Sequence, residues 1–140
     1  MNERFATMKS SDHLEEGEIS EEEKYRNVLR AVEGGDNKAK TKLAWYKLSG
    51  YGGAEFDEGG ATMLLEERMK DKDVEAMWML GLCYEYGMGC EQDLTRAETL
   101  YDQSCEGGSV VGKILKEYGE NNARGSGMMK LREGLRKEKK

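Results

Sequence analysis

The stretch DVEAMWMLGLCYEYGMGCEQDLTRAETLYDQSCEGG, residues 73–108, decides the fold. Its first half, 73–87, carries ten apolar residues in fifteen: Val74, Ala76, Met77, Trp78, Met79, Leu80, Leu82, Cys83, Tyr84 and Tyr86. That is more than one stripe, so a helix here has to be covered on several sides. Its second half, 94–106, places Leu94, Ala97, Leu100, Tyr101 and Cys105 on one face, the pattern of a helix half in water. Gly87 and Gly89 lie between them and can take the positive φ that turns the chain back. A third glycine, Gly81, falls in mid-helix, where it costs about 1 kcal/mol against alanine. Such a residue is best explained by a neighbouring helix that leaves no room for a Cβ. Ala97 is expected as its small counterpart, with Tyr84 and Tyr101 filling the space between successive pairs.

The same pattern recurs outward from this stretch. Tyr25-x-x-Val28-Leu29, Ala61-x-x-Leu64-Leu65 and Ala97-x-x-Leu100-Tyr101 are spaced by 36, and Ala39-x-x-x-Leu43 returns 37 residues later as Ala76-x-x-x-Leu80. A period of 36 built from two helices predicts an all-α chain, a short right-handed α/α solenoid of antiparallel helix pairs. Further helices are expected at 37–49, 58–71, 109–119 and 127–138. One more starts at the capping box Ser20-Glu-Glu-Glu23 and is stopped by Gly34-Gly35. The domain plan is then an acidic, disordered segment at 1–19, a repeat array at 20–120, and a terminal capping helix with a basic tail at 121–140.

Residues 73–108 closely resemble a Sel1-like repeat, a relative of the tetratricopeptide repeat, through Ala76, Gly81, Tyr84, Gly87, Gly89, Asp93, Arg96, Ala97, Tyr101, Ser104 and Gly107. Cys90 stands where the pattern has a small apolar residue. Residues 37–72 match more loosely through Ala39, Leu43, Gly50, Gly52, Asp57 and Ala61, with Ala44 and Lys47 replacing the usual glycine and tyrosine. Residues 20–36 look like a lone second helix, and 109–138 like a degenerate terminal repeat. The resemblance implies a non-catalytic protein–protein interaction adaptor or scaffold whose first helices line a concave groove. Aligning Leu43 with Leu80 carries that row onto Lys38, Thr41, Trp45 and Leu48, then Glu75, Trp78, Leu82 and Glu85, and on to Ile114 and Tyr118. Two tryptophans with leucines on a surface row suit a docking site for a partner segment, with Lys38, Glu75 and Glu85 selecting charge. The competing reading packs Trp45 and Trp78 between repeats, and the two weigh about evenly.

Composition limits the alternatives. The 140 residues contain 18 glycines and no proline, so the strongest helix breaker is missing and turns fall to glycine. Net charge is −6: residues 1–36 hold 10 acids and 5 bases, 37–120 hold 16 and 10, and 121–140 hold 2 and 7. An acidic body makes nucleic acid an unsuitable main ligand, and the basic tail at 130–140 reads as a solvated end. His13 is the only histidine, which argues against nucleophile relays and multi-histidine metal sites, and no cofactor is called for. Three unpaired cysteines and no leader point to a reducing, intracellular setting, cytoplasmic or nuclear, and no apolar run reaches membrane-span length. Cys83 and Cys105 read as core thiols, and Cys90, in the glycine loop, as the one to test for reactivity. The carboxylate pairs Asp57/Glu58, Glu66/Glu67 and Glu85/Asp93 leave open a hydrolase of the kind ascribed to some bacterial relatives. A structural subunit of a larger complex is the other alternative, and the short array is compatible with self-association.

Overall fold

The computed structural model describes residues 17–121. Among these residues six α-helices follow one another: α1 (Glu21–Glu33), α2 (Ala39–Ser49), α3 (Glu58–Lys70), α4 (Val74–Tyr86), α5 (Leu94–Glu106) and α6 (Val110–Asn121). A short 3-10 turn at Tyr51–Gly53 links α2 to α3. The expected helices at 37–49, 58–71, 73–86, 94–106 and 109–119 agree with these to within two residues. The acidic segment preceding residue 17 and the helix expected at 127–138 lie outside the described residues.

Local chemistry sets the starts of the helices. Ser20, Asp57 and Asp93 each accept a hydrogen bond from the backbone amide three residues on, capping α1, α3 and α5. Asp73 accepts from the amides of both Glu75 and Ala76 to cap α4, and Ser109 accepts from Gly112 N to cap α6. The turn ending α3 holds an unexpected residue. Lys72 has φ +59, where the corresponding turns after α1 and α5 use Gly35 (φ +94) and Gly108 (φ +97). The motif survives there without the residue that would have revealed it.

The helices pair antiparallel, α2 with α3 and α4 with α5, and each pair packs on the next. Ala44, Ala61, Leu65, Ala76, Met79, Leu80, Cys83 and Leu100 form the core, with three alanines that let backbones approach closely. The crossing of α4 and α5 explains Gly81. A Cβ there would lie 2.6 Å from Tyr101 Cε1, so the buried tyrosine ring itself, more than Ala97, closes the gap. The Tyr101 hydroxyl donates to Glu85 Oε1 at 2.7 Å, which satisfies both groups inside the core. Adjacent elements are stitched by further polar bonds: Ser104 Oγ donates to Val74 O at 2.7 Å, and Thr62 Oγ1 to Met88 O at 3.1 Å. Buried as they are, these bonds fix register as well as adding stability.

Candidate docking face on the first helices

Among the described residues, α2, α4 and α6 are the first helices of successive repeats, and α4 touches both of the others. Their register explains why the predicted row is uneven. Thr41 of α2 and Trp78 of α4 are equivalent positions, yet Thr41 is buried and donates its hydroxyl to Asp73 Oδ2 at 2.6 Å. Asp73 also receives Arg68 Nε at 3.4 Å, so Thr41 belongs to an internal junction joining α2, α3 and α4. Glu85 is likewise buried, 6% exposed, beneath the Tyr101 hydroxyl, which leaves it no part in selecting a partner's charge. Neither residue is at the surface. Sequence spacing alone does not reveal this, because both sit at the correct helical interval and were turned inward by partners distant in the chain.

The other six residues divide. Lys38 is exposed, but it lines a separate groove with α1. Trp45 and Leu48 are half-buried against the core, and the Trp45 ring is stacked on Tyr51 (centroids 5.2 Å, planes 18° apart) and edge-on to Tyr46 (5.1 Å). Trp45 thus leans on both readings, part core and part surface. Trp78 is half-buried too, and its indole N–H donates to Glu75 Oε2 at 2.8 Å, which holds the ring in place from the outside. Leu82 is half-exposed one turn further along. On α6 the equivalent positions are Ile114 and Tyr118, 57% and 56% exposed. Trp78 and Leu82, with Ile114 and Tyr118, therefore form an apolar ladder with i, i+4 spacing across two touching helices.

Five of the six carboxylates raised as catalytic candidates have structural partners, Glu85 among them through Tyr101. Asp57 and Asp93 cap helices. Glu67 accepts from Lys40 Nζ at 2.7 Å, and Glu66 accepts from the Tyr84 hydroxyl at 2.9 Å while facing Arg96. The Arg96 guanidinium also lies over the Tyr84 ring, 4.8 Å from its centroid. No group of three or more His, Cys, Asp or Glu side chains among the described residues is arranged to hold a metal ion. Nor is any described helix long and apolar enough to cross a membrane.

Of the two thiols expected in the core, Cys83 is buried and Cys105 is only half-buried. Burial pushes Cys83 up to about 11. Cys90 is half-buried, and burial, followed by the negative charge of Glu66, raises its pKa as well. Its place in the glycine loop therefore does not make it a reactive thiolate at neutral pH.

This geometry, paired helices repeating every 36–37 residues with a closely approached mid-helix glycine, defines a Sel1-like repeat solenoid. Two solved structures share it. One is a Sel1 repeat protein from Oxalobacter formigenes, 25% identical, with a TM-score of 0.61 over 72% of this chain and 40% of that one. The other is a protective antigen of uropathogenic Escherichia coli strains that displays an SLR fold, 20% identical, with a TM-score of 0.58 over 76% of this chain and 23% of that one. In sequence the chain is similar to protein sel-1 homolog 2 of Rattus norvegicus, 34% identical over 77 residues. That match takes in 55% of this chain but only 11% of the rat protein. No protein-family model matches the chain. By fold and repeat pattern the chain is similar to Sel1 repeat proteins, and this fold serves generally as a protein–protein interaction scaffold.

Proposed function

We propose that the chain is a non-catalytic adaptor that docks a partner segment along its first helices. The observation that carries this reading is the apolar ladder of Trp78, Leu82, Ile114 and Tyr118, whose α6 half is more than half exposed. Large apolar groups in a contiguous row are costly to leave in water, and aromatic anchors are favoured where a partner excludes it. An amphipathic helix presenting residues at i, i+3 and i+4 fits a ladder with this spacing. Trp45 and Leu48 extend the row onto α2, while Glu75 lies at its exposed edge. Most of the carboxylates that a hydrolase would need are engaged in caps, hydrogen bonds and ion pairs, which supports binding over turnover. Two helix pairs present a small surface, so affinity in the micromolar range is expected.

The test uses peptides selected for binding from a displayed library of helical sequences. Selected peptides are expected to slow amide exchange in α4 and α6. Trp78→Ala combined with Tyr118→Ser is expected to weaken them at least tenfold while far-ultraviolet circular dichroism stays unchanged. Peptides that protect α3 and α5 instead, or that bind the double variant equally well, overturn the reading.

A further inference from the structure

The loop that joins α2 to α3 is aromatic where its counterpart in the next repeat is not. Trp45, Tyr51 and Phe56 correspond to Leu82, Met88 and Gln92, which lie 37, 37 and 36 residues further on. Gln92 donates its Nε2 to Glu85 O at 2.7 Å and so satisfies a carbonyl in the last turn of α4. Phenylalanine cannot make that bond. Phe56 instead lies with its ring beside Gly50, where a Cβ would be 3.1 Å from Cε2 and Cζ, and it is 72% exposed. Tyr51, 57% exposed, stacks on Trp45 with centroids 5.2 Å apart. Two exposed rings thus flank one glycine, and neither is among the residues packed against the core. Aromatic groups placed together in this way are costly to leave in water and favoured where a partner covers them.

The charge around these rings says what the partner carries. Glu55 precedes Phe56, and Asp57 and Glu58 follow it, all at exposed positions. Asp57 is engaged by the α3 cap and by Lys47 Nζ at 3.5 Å. The helix dipole accounts for acids at 57 and 58, but not for Glu55, which lies before the cap. The next loop packs here as well: Gly89 lies against Glu58 O and Thr62 Oγ1, and the exposed Glu91 follows two residues later. Among the described residues no basic side chain pairs with Glu55, Glu58 or Glu91. The second repeat shows what a ring and a carboxylate hold together. There the Arg96 guanidinium lies over the Tyr84 ring, 4.8 Å from its centroid, and faces Glu66 at 3.7 Å. The residues equivalent to Arg96 and Tyr84 in the first repeat are Gly60 and Lys47, so that repeat supplies no arginine at this position.

We propose that the α2–α3 loop is a docking surface for an arginine-bearing segment of a partner protein, whose guanidinium groups lie against Phe56 and Tyr51 and pair with Glu55 and Glu58. A guanidinium suits this surface better than an ammonium, because it is flat, weakly hydrated, stacks on rings and offers paired donors to a carboxylate. An acidic segment is repelled here. An apolar helix of the kind that fits the first-helix ladder would strip water from Glu55 and Glu58 without pairing them. The two surfaces share only Trp45, which backs Tyr51, and the arginine surface does not rest on the ladder.

The experiment uses the full chain, labelled with 15N, and a capped peptide of three Gly-Arg-Ser units, with counterparts in which lysine or citrulline replaces arginine. The arginine peptide is expected to shift amides at 50–58 and 89–91 and to bind at least fivefold more tightly than the lysine peptide. The citrulline peptide, of the same shape without the charge, is expected not to bind. Phe56→Gln, the exchange that the next repeat shows at Gln92, is expected to weaken the arginine peptide about fivefold, the size of an exposed cation–π contact, while circular dichroism stays unchanged. Glu55→Gln with Glu58→Gln is expected to weaken it at least as much. Glu33→Gln with Glu106→Gln alters net charge equally at the opposite ends of the helices, and is expected to change nothing. Trp78→Ala with Tyr118→Ser is expected to leave this binding intact, which separates it from the ladder. Equal binding of the lysine or citrulline peptide, indifference to Phe56→Gln, equal weakening by the control acids, or shifts confined to α4 and α6 each overturn the proposal.

Discussion

Gly81→Leu tests the helix crossing that positions the proposed docking face. A Cβ at residue 81 would lie 2.6 Å from Tyr101 Cε1 and 2.9 Å from Cδ1, about 1 Å inside ordinary contact. The ring cannot swing aside freely, because Tyr101 is fully buried and its hydroxyl is bonded to the buried Glu85. Overpacking of this kind costs about 1–3 kcal/mol, and losing a hydrogen bond to a charged group costs about 1.5–3 kcal/mol. Leucine recovers slightly under 1 kcal/mol of helix propensity, leaving a net loss of about 2–5 kcal/mol. With a urea m-value of about 2 kcal/mol/M, the unfolding midpoint followed by circular dichroism falls by about 1–2.5 M. Gly59→Ala is the control, since a Cβ there meets nothing within 4 Å, and it is expected to leave the midpoint unchanged or raise it. In the Tyr101→Ala background the added leucine has space, so its own penalty is expected to shrink sharply. An unchanged midpoint for Gly81→Leu, or an equal penalty in both backgrounds, would refute the packing argument.

Other expectations follow from single residues. Lys72→Gly is expected to stabilise the chain by about 1 kcal/mol, because it relieves an L-residue at φ +59, and denaturant titration reads the gain directly. Asp73→Ala removes the α4 cap and leaves Thr41 and Arg68 without their shared acceptor, for an expected loss of about 2–4 kcal/mol by the same measurement. Burial raises the Asp73 pKa, but hydrogen bonds from Thr41 and the Ala76 and Glu75 amides, with the Arg68 charge, outweigh it and hold the folded-state value below normal. The sign is therefore that of a depressed carboxylate: its stabilisation is present above about pH 4 and lost as pH falls through the folded value, and Asp73→Asn should flatten that acid limb. Iodoacetamide at pH 8 is expected to leave Cys83 unmodified until the chain unfolds, which peptide mass mapping with and without urea would show.

The repeat was legible in the sequence because its information is periodic. A 36-residue interval, glycine-rich junctions and the apolar load of 73–87 can be read without knowing which groups touch, and they placed five helices within two residues of their observed ends. Lys72 marks the limit of that reading, since a left-handed turn is specified there by its neighbours' hydrogen bonds instead of by glycine. The surface row was less legible. Spacing put Thr41, Trp45, Trp78 and Glu85 on first-helix faces, but it could not say which of them would find a partner more than 15 residues away. Thr41 found Asp73 and Glu85 found Tyr101, so both turned inward. Trp78 donates to Glu75, one turn back on its own helix, and stays half-buried beside the core.

By itself, then, the sequence determined the class of fold and the order of its helices, because periodicity and capping are local properties of a chain. The tertiary structure decided which residues of the first-helix row are accessible and which are turned into the core. Those outcomes depend on contacts between different helices, and in a solenoid each helix is covered by neighbours that lie a third of the period or more away in sequence.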